Sequence, residues 1–252
     1  SLWLKPKHFR LKRTIVDNLK NVPGWKSTRK LVAFAVDDYG NVRRHSATAQ
    51  LPKATNRFDA LDTLETREDL AALVDTLRAV KDKHGRPAVF TPYALSGNPD
   101  FDAIEQGDFK TYHFASLPAT FEKVSADQPQ AYAGTWELWK KCIEEGVLYP
   151  QFHGREHLNL KLVEAKLKNK DEDILTSFRQ RSAVALDDRP YQQKGWTAAF
   201  SFWDREELEL HQQILEQGLK TFAAVFGYQA VAFTPPAQQF HPDLYPTIRR
   251  LG

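Results

Sequence analysis

The sequence has few of the residues and segments that mark several protein classes. Of its 252 residues only one is cysteine, Cys142, so an internal disulfide framework and a zinc site built from several thiolates are excluded. No apolar run approaches the roughly 18–20 residues of a membrane span, and no signal-peptide pattern opens the chain. The cytoplasm is therefore the default expectation, while the start at Ser1 leaves a secreted or periplasmic location open.

The overall composition is that of a folded domain. Hydrophobic residues make up 42% and charged residues 27% of the chain, and the formal net charge is only +3. These values exclude disordered, collagen-like and low-complexity classes. The length suits one large α/β domain or two small ones.

The positive charge is concentrated at the start of the chain. Residues 1–30 contain nine Lys or Arg and one acidic residue, Asp17, so the rest of the chain carries net negative charge. We interpret 1–30 as a basic N-terminal arm, which is either a solvated surface or a contact to an anionic surface. Its aromatic residues are few and irregularly spaced, and no known nucleic-acid-binding pattern accompanies them, so we expect no nucleic-acid partner.

Hydrophobic patterning predicts alternating strands and helices. Short apolar runs predict strands at 31–36, 88–91, 147–152, 197–202 and 230–233, the first of them buried in a parallel sheet. Helical spacing and end signals predict helices over 67–84, 135–145, 158–168, 172–181, 204–226 and 243–251. Residues 95–133 are rich in Gly, Pro, Asp and Ser, which predicts an irregular insertion or lid. The alternation favours parallel βαβ units, in a barrel or an open sheet.

Polar residues follow three of the predicted strands. They are Asp37-Asp38, His153 with His157, and the segment 234–236, Thr-Pro-Pro. Ligand sites in parallel α/β folds gather at the carboxyl ends of strands, so these residues are candidates for one shared site.

The histidine pair and the aspartate pair suggest a metal centre. Positions i and i+4 share a face of a helical turn, so His153 and His157 could reach one ion. Gly154 stands where zinc proteases of the HExxH type carry glutamate, which excludes that class. Asp plus two His suits zinc, non-haem iron or another divalent ion, and the second aspartate could accept a proton. Structural histidines, and a turn or helix cap at Asp37-Asp38, stay open as alternatives.

These segments resemble a known family. Residues 36–40, Val-Asp-Asp-Tyr-Gly, resemble the first motif of polysaccharide deacetylases of the NodB-homology type, carbohydrate esterase family 4. Residues 153–157 resemble their second motif, two histidines separated by three residues, and 233–236 lies where their proline-containing third motif follows a strand. The resemblance covers roughly residues 31–252 and is strongest to a bacterial subgroup with a longer insertion.

The resemblance implies a fold, a cofactor and a reaction. The fold is a distorted, incomplete (β/α) barrel, and Asp38, His153 and His157 bind a divalent metal, usually zinc. Asp37 is the general base that activates water bound to that metal. The substrate is an N- or O-acetylated sugar or polysaccharide, from which hydrolysis removes the acetyl group. A cation beside the developing oxyanion fits that chemistry.

The sequence departs from the family pattern in its spacing, in having Leu158 where a proline usually follows the second histidine, and at two catalytic positions. Thr234 stands where the third motif usually carries an arginine that orients the catalytic aspartate, and Arg155 is our candidate for supplying that charge. The family's general-acid histidine lies on a late strand, which would follow Gly252. The domain at 31–252, with its insertion near 95–133, is therefore expected to end before the barrel closes.

Aromatic and proline residues near the predicted strand ends are candidate sugar contacts. They are Tyr39, Tyr93, Trp203 and Pro235. Two other functions stay open beside the deacetylase. One is a non-catalytic relative that binds glycan; the other is a different metallohydrolase or a two-histidine, one-carboxylate iron enzyme.

Overall fold

The computed structural model describes residues 15–17, 19, 22–24, 26–52, 57–186 and 195–251. The chain divides into two compact units, residues 1–33 and 34–252. Most of the predicted basic arm, 1–30, lies outside the described residues. The second unit contains the mixed α/β fold that carries the candidate site.

The second unit is built around a small parallel sheet. Its strands are β1 (Phe34–Tyr39), β2 (Phe90–Leu95), β3 (Gly97–Pro99), β4 (Phe114–Ser116) and β5 (Gln151–Gly154). β1, β2 and β5 form the parallel sheet in the order β1-β2-β5, and β3 and β4 form an antiparallel hairpin. Phe233 makes a single parallel bridge to Phe152 of β5. The described residues thus form a mixed α/β fold without a closed barrel.

The described residues also form ten helices. They are α1 (Arg57–Leu61), α2 (Arg67–Ala79), α3 (Phe101–Gln106), α4 (Leu117–Asp127), α5 (Pro129–Tyr132), α6 (Thr135–Glu144), α7 (Leu160–Lys168), α8 (Glu172–Arg179), α9 (Glu207–Phe226) and α10 (Tyr245–Leu251). Short 3₁₀ turns occupy Pro236–Gln238 and Pro242–Leu244. Within the described ranges, none of the helices combines the length and the apolarity that crossing a membrane requires.

Helix α2 begins at the residue that the sequence predicts, because a side chain is available to cap its first backbone N–H groups. At α2 the hydroxyl of Thr66 accepts a hydrogen bond from the Asp69 N–H at 3.2 Å, and Asp69 accepts one from the Thr66 N–H at 3.0 Å. This reciprocal capping box satisfies two N–H groups that would otherwise lack partners. α2 ends at Ala79, five residues before the predicted end.

Three of the strand predictions were wrong in detail. At 230–233 the structure has an isolated bridge at Phe233 in place of the predicted strand. The first strand was predicted at 31–36 and buried, but β1 begins at Phe34, and Phe34 and Val36 are about half exposed. β1 is an edge of the described sheet, and an apolar run alone does not say whether neighbours cover both faces. The run at 197–202 is buried but forms turns, because the Asn159 side chain donates hydrogen bonds to the carbonyls of Ala198 and Ser201 at 3.1 and 2.8 Å.

The segment 95–133 is more regular than predicted. It contains the β3–β4 hairpin and the helices α3, α4 and α5. Its Asp and Pro residues act as helix starts: the Asp100 carboxylate accepts a hydrogen bond from the Ala103 N–H, and Pro118 lies in the first turn of α4. Leu117 and Phe121 of α4 are buried in the main core. The segment is therefore an ordered part of the fold rather than an irregular excursion.

α9 packs directly against the end of β5. A Cβ atom at Gly218 would lie 2.8 Å from Phe152 Cζ and 3.0 Å from Arg155 Cβ, closer than van der Waals contact allows. Glycine lets the helix backbone approach at this point. The approach places α9 against Phe152 and Arg155, which flank His153 and Gly154.

His211 of α9 is a titratable group inside the core. Only 3% of its surface is exposed, and its ring meets the edges or faces of Phe200 and Phe202 at centroid distances of 5.8 and 6.1 Å. Its Nδ1 is buried without a hydrogen-bond partner among the described residues. Burial lowers the pKa of His211 to about 4, although the charge of Glu207 acts in the opposite direction.

We expect His211 to make the fold sensitive to acid. Its folded-state pKa is depressed from 6.5 to about 4, so below pH 6.5 the unfolded chain takes up a proton that the folded chain refuses. The free energy of unfolding should therefore fall between pH 6.5 and pH 4, by up to about 3 kcal/mol from this group. Urea denaturation at a series of pH values measures this. His211→Leu should flatten the slope, whereas His84→Leu, at an exposed histidine, should keep it; equal slopes in all three proteins would refute the assignment.

Candidate metal centre

The site begins with a β-bulge at the end of β1. Val36 pairs with Pro92 and Tyr39 with Ala94, so β1 uses one residue more than β2 over this stretch. Asp38, inside the bulge, has a φ of +66°, a left-handed conformation that aspartate adopts more readily than most residues. A bulge bends its strand and redirects the side chains. The Asp38 carboxylate consequently meets His153 in β5 and His157 in the loop that follows it.

Asp38, His153 and His157 form one compact cluster. Oδ1 of Asp38 lies 3.1 Å from Nε2 of His153 and 3.0 Å from Nε2 of His157. The two imidazole ring centroids are 5.2 Å apart. Both rings are buried, whereas 39% of the Asp38 side chain is exposed. The cluster is thus open to solvent on the aspartate side.

The two histidines converge by a route other than the predicted helical turn. His153 is in β5, and His157 lies in the loop between β5 and α7. Gly154 has a φ of +135°, which L side chains rarely adopt, and a Cβ there would lie 3.1 Å from Pro236 Cγ. Glycine at this position lets the chain turn sharply after His153 and bring His157 back to the same point.

A backbone carbonyl fixes the protonation pattern of His153. Its Nδ1 lies 2.7 Å from the carbonyl oxygen of Thr234, so Nδ1–H donates to that oxygen. In a neutral imidazole the other nitrogen, Nε2, then carries a lone pair, and this lone pair faces a carboxylate oxygen of Asp38. Such an arrangement needs either a proton or a cation between the two atoms. A backbone partner on the far nitrogen is also what metal-binding histidines commonly have.

The donor atoms fit a divalent ion. Two ligand atoms that are each about 2.1 Å from one ion are about 3.0–3.4 Å apart in octahedral or tetrahedral geometry. The distances of 3.0 and 3.1 Å from Asp38 Oδ1 to the histidine nitrogens lie at the start of that range. Asp38, His153 and His157 therefore form a potential metal-binding triad of two nitrogens and one oxygen.

Asp38 is held in the ionised form. Its partial burial acts to raise the pKa of the carboxyl, but hydrogen bonds with His153 and His157 and the charges of His157 and Arg43 outweigh it. The pKa of Asp38 consequently lies well below its usual range. A carboxylate that resists protonation is suited to bind a cation across the physiological pH range.

Arg43 is the cation beside the site. Its Nη2 donates a hydrogen bond of 2.9 Å to Oδ2 of Asp38, which leaves Oδ1 for the histidines. The same guanidinium lies 3.8 Å from Asp59 and 3.7 Å from Asp62. These two carboxylates offset the charge of Arg43, so its main effect on Asp38 is orientation. Arg43 follows Asp38 by five residues, but nothing in the sequence pattern marks it as a partner of that carboxylate.

We expect Arg43→Gln to weaken zinc binding by about 10–100-fold, the usual cost of losing a group that orients a metal ligand. Removing Nη2 frees the Asp38 carboxylate to rotate, and the relief of charge repulsion is small because Asp59 and Asp62 already offset it. Competition with a fluorescent zinc chelator measures the affinity. Arg43→Lys should recover part of the loss and Arg86→Gln, at an exposed arginine, should cause none; wild-type affinity in Arg43→Gln would contradict this role.

Arg155, the predicted substitute for the family's arginine, has other partners. Its Nε and Nη2 donate hydrogen bonds of 2.6 and 3.0 Å to the carboxylate of Glu156, and its Nη1 donates to Gln217 of α9. Its guanidinium also lies over the ring of Phe114 at 4.3 Å. The structure therefore gives Arg155 a place in a buried network beside the histidine loop, while Arg43 is the arginine that contacts an aspartate of the site.

Asp37, the predicted general base, lies in the same bulge as Asp38. It is exposed to solvent, in contrast to the half-buried Asp38 that follows it. The bulge places both aspartates at the carboxyl end of β1, as the sequence argument required. Asp37 is not one of the three clustered donors.

Two predicted sugar contacts lie in the sheet. Tyr39 packs edge-on against Phe90 and Trp139 at centroid distances of 5.5 and 6.0 Å. Burial, together with nearby carboxylates, raises the pKa of Tyr39 to about 12. Tyr39 is therefore placed as a packing residue. Tyr93 is half-buried in β2.

The other two predicted sugar contacts lie on loops. Pro235 is half-buried and directly precedes a 3₁₀ turn, in which its carbonyl accepts a hydrogen bond from the Gln238 N–H at 2.9 Å. Trp203 is half-buried, with the Lys161 ammonium 6.0 Å from its ring centroid. Its backbone N–H donates to Glu207 at 3.1 Å. Pro235 directly follows Thr234, whose carbonyl accepts a hydrogen bond from His153.

Comparisons of this chain with protein-family profiles, with curated proteins and with solved structures found no match. The case for its function therefore rests on the clustered residues themselves and on the three short motifs that contain them.

Proposed function

We propose that this protein is a metal-dependent hydrolase that removes acetyl groups from N- or O-acetylated sugars or polysaccharides. The observation that carries the proposal is the triad of Asp38, His153 and His157, whose donor atoms converge within 3.1 Å of Asp38 Oδ1. The resemblance of residues 36–40 and 153–157 to the motifs of polysaccharide deacetylases supports the choice of reaction.

Zinc is the proposed metal. Two imidazole nitrogens and one carboxylate oxygen form a common ligand set of catalytic zinc, which leaves a further position open. When bound, a divalent ion supplies Lewis acidity to the acetyl carbonyl and lowers the pKa of water.

The chain's own residues hold and orient the reacting groups. The Thr234 carbonyl fixes the tautomer of His153 through Nδ1, and Arg43 holds Oδ2 of Asp38 so that Oδ1 faces the histidines. Asp37 is proposed to accept the proton from the attacking water, because it is exposed and adjacent to a ligand in the bulge. Since Asp38 is tied to three partners, its neighbour is the better candidate for that base.

The fold belongs to the same proposal. We interpret the parallel order β1-β2-β5, continued by the bridge from Phe152 to Phe233, as part of a distorted, incomplete (β/α) barrel of the NodB-homology type. In that arrangement the candidate ligands lie at the carboxyl ends of β1 and β5, on either side of β2, where barrel enzymes carry their sites.

Acetate release tests the reaction. Purified protein loaded with zinc should release acetate from acetylated sugar oligomers, such as chitin oligomers or acetylated xylan oligomers, and a chelator should stop the release. Adding zinc back should restore it. If zinc is bound but no acetylated glycan yields acetate, the reaction proposed here is wrong and a non-catalytic, glycan-binding role is favoured.

The donor set itself favours one further candidate. Two histidines and one carboxylate on one face of the metal's coordination sphere are also the ligands of non-haem iron oxygenases. Oxygen consumption that requires ferrous iron, together with the absence of acetate release under zinc, would favour that class.

A further inference from the structure

One cleft of the structure is lined by none of the three candidate metal ligands. It has a volume of about 500 Å³ and opens between residues 108–112, the end of α7 and α8. This volume is in the range of small-molecule sites. Its walls include the cations Lys110, Lys168, Lys170 and Arg179. We call it the basic cleft.

The four cations of the basic cleft outnumber its two acids, Asp108 and Glu164. Lys110 lies 3.3 Å from Asp108 and is paired with it. In the part of the chain that the structure describes, no carboxylate forms an ion pair with Lys168, Lys170 or Arg179. Glu164 is the remaining acid of the lining, and partial burial raises its pKa. The cleft therefore has a net positive charge that favours an anion.

The wall of the basic cleft is aromatic and apolar. Phe109 and Tyr112 contribute rings, and Leu167 and Leu175 contribute aliphatic surface. The Arg179 guanidinium lies 5.3 Å from the centroid of the Phe109 ring, so charge and ring face are adjacent. A ring-shaped ligand can stack on such a surface while its charged group meets the cations.

One residue of the wall reaches towards the histidine loop. The Tyr112 hydroxyl donates a hydrogen bond of 3.3 Å to Glu156, which precedes His157. Burial, and then the charge of Glu156, raise the pKa of Tyr112 well above its usual value, so the hydroxyl stays protonated. Glu156 in turn holds Arg155 at 2.6 Å. Through Tyr112 the wall of the basic cleft is thereby hydrogen-bonded to the buried network beside the candidate metal centre.

We propose that the basic cleft binds a sugar that carries a phosphate or carboxylate group. The cations select the anionic group, and the aromatic wall accepts the ring. The choice of a sugar among anions rests on the function proposed above, whereas the preference for an anion rests on the cleft alone.

Calorimetric titration of the metal-stripped, full-length protein tests this proposal without contribution from the metal centre. The probes are glucose 6-phosphate, glucuronate, glucose and inorganic phosphate. Glucose 6-phosphate or glucuronate should bind at least about 10-fold more tightly than glucose, because charge-assisted hydrogen bonds to exposed lysines add this much. Added salt should weaken the binding.

Variants locate the binding. The double variant Lys168→Ala/Lys170→Ala should weaken glucose 6-phosphate binding by about 10-fold or more, and Glu164→Gln should strengthen it by removing a like charge. Lys81→Ala/Lys83→Ala, at exposed lysines with the same spacing, should change nothing. Wild-type affinity in the Lys168→Ala/Lys170→Ala protein would overturn the site, and equal affinity for inorganic phosphate would overturn its assignment to sugars. If the protein binds these anions but releases no acetate from any substrate, the proposal of an anion site in the basic cleft stands and only the proposed reaction is refuted.

Discussion

Replacing Asp38 with asparagine is expected to weaken zinc binding by at least about 100-fold, more than the 10–100-fold cost of losing a group that only orients a ligand. Oδ1 of Asp38 is the one atom that lies within 3.1 Å of both histidine nitrogens, so the substitution removes the only charged donor of the triad. Asparagine has nearly the same shape, and the side chain is 39% exposed, so the fold should survive. Titration of the metal-stripped protein with zinc, in competition with a chelator, gives the affinity.

Histidine variants provide the matched comparison for this result. His153→Ala and His157→Ala should lose zinc binding to a similar degree, whereas His84→Ala, the same change at an exposed histidine, should retain wild-type affinity. Circular dichroism of each variant separates loss of the ligand from loss of the fold. Tight zinc binding by folded Asp38→Asn protein would show that the metal is held elsewhere.

The second large effect is expected at Asp37. Asp37→Asn should lower the rate of acetate release by about 10²–10⁴-fold, because amide nitrogen cannot accept the proton that a general base must take. Its zinc affinity should stay within about 3-fold of the wild type, since Asp37 is outside the donor cluster. The turnover number and the zinc dissociation constant, measured on the same preparation, distinguish a base from a metal ligand.

Asp75→Asn is the control for this change. It replaces the same side chain at a position that is 78% exposed and lies on α2. Its turnover should equal that of the wild type. Equal loss of zinc and of turnover in Asp37→Asn would make Asp37 a ligand, and undiminished turnover would exclude it as the base.

The sequence was informative wherever one residue type determines local structure. The helix predicted from residue 67 follows Thr66, whose side chain can cap the backbone, and the structure has this cap as part of a capping box with Asp69. The apolar runs before Asp38 and His153 predicted strands that end close to these residues. The structure has those strands, with their ends shifted by two to four residues. Because carboxyl ends of parallel strands meet at one edge, this was enough to predict that the two residues approach each other.

The sequence was uninformative where contacts come from distant segments. The Arg43 guanidinium lies between Asp38 and two carboxylates from a later segment, Asp59 and Asp62. The spacing of residues along the sequence does not predict that this later segment packs there. The partner of His153 is a backbone carbonyl of Thr234, which any residue type would supply. The bulge at Asp38 depends on the register between two strands, which an isolated strand pattern does not specify.

A buried segment does not have to form a strand or a helix, and a segment that contains Gly and Pro can form helices, as two segments of this chain show. The run at 197–202 is apolar and its centre is buried, as the pattern suggested, but Asn159 satisfies its carbonyls and it forms turns instead of a strand. Conversely, the Gly- and Pro-containing segment 95–133 forms helices because those residues cap and start them. Hydrophobic patterning predicts which segments are inside, and the supply of hydrogen-bond partners decides their conformation.

Anomalous diffraction from zinc-soaked crystals, recorded at the zinc absorption edge, tests the central claim most directly. The claim is that Asp38, His153 and His157 bind one divalent ion. We predict a single strong peak about 2.0–2.2 Å from Asp38 Oδ1 and from Nε2 of both histidines. A zinc-saturated crystal in which these three side chains still hydrogen-bond to one another, with no peak between them, would contradict the claim.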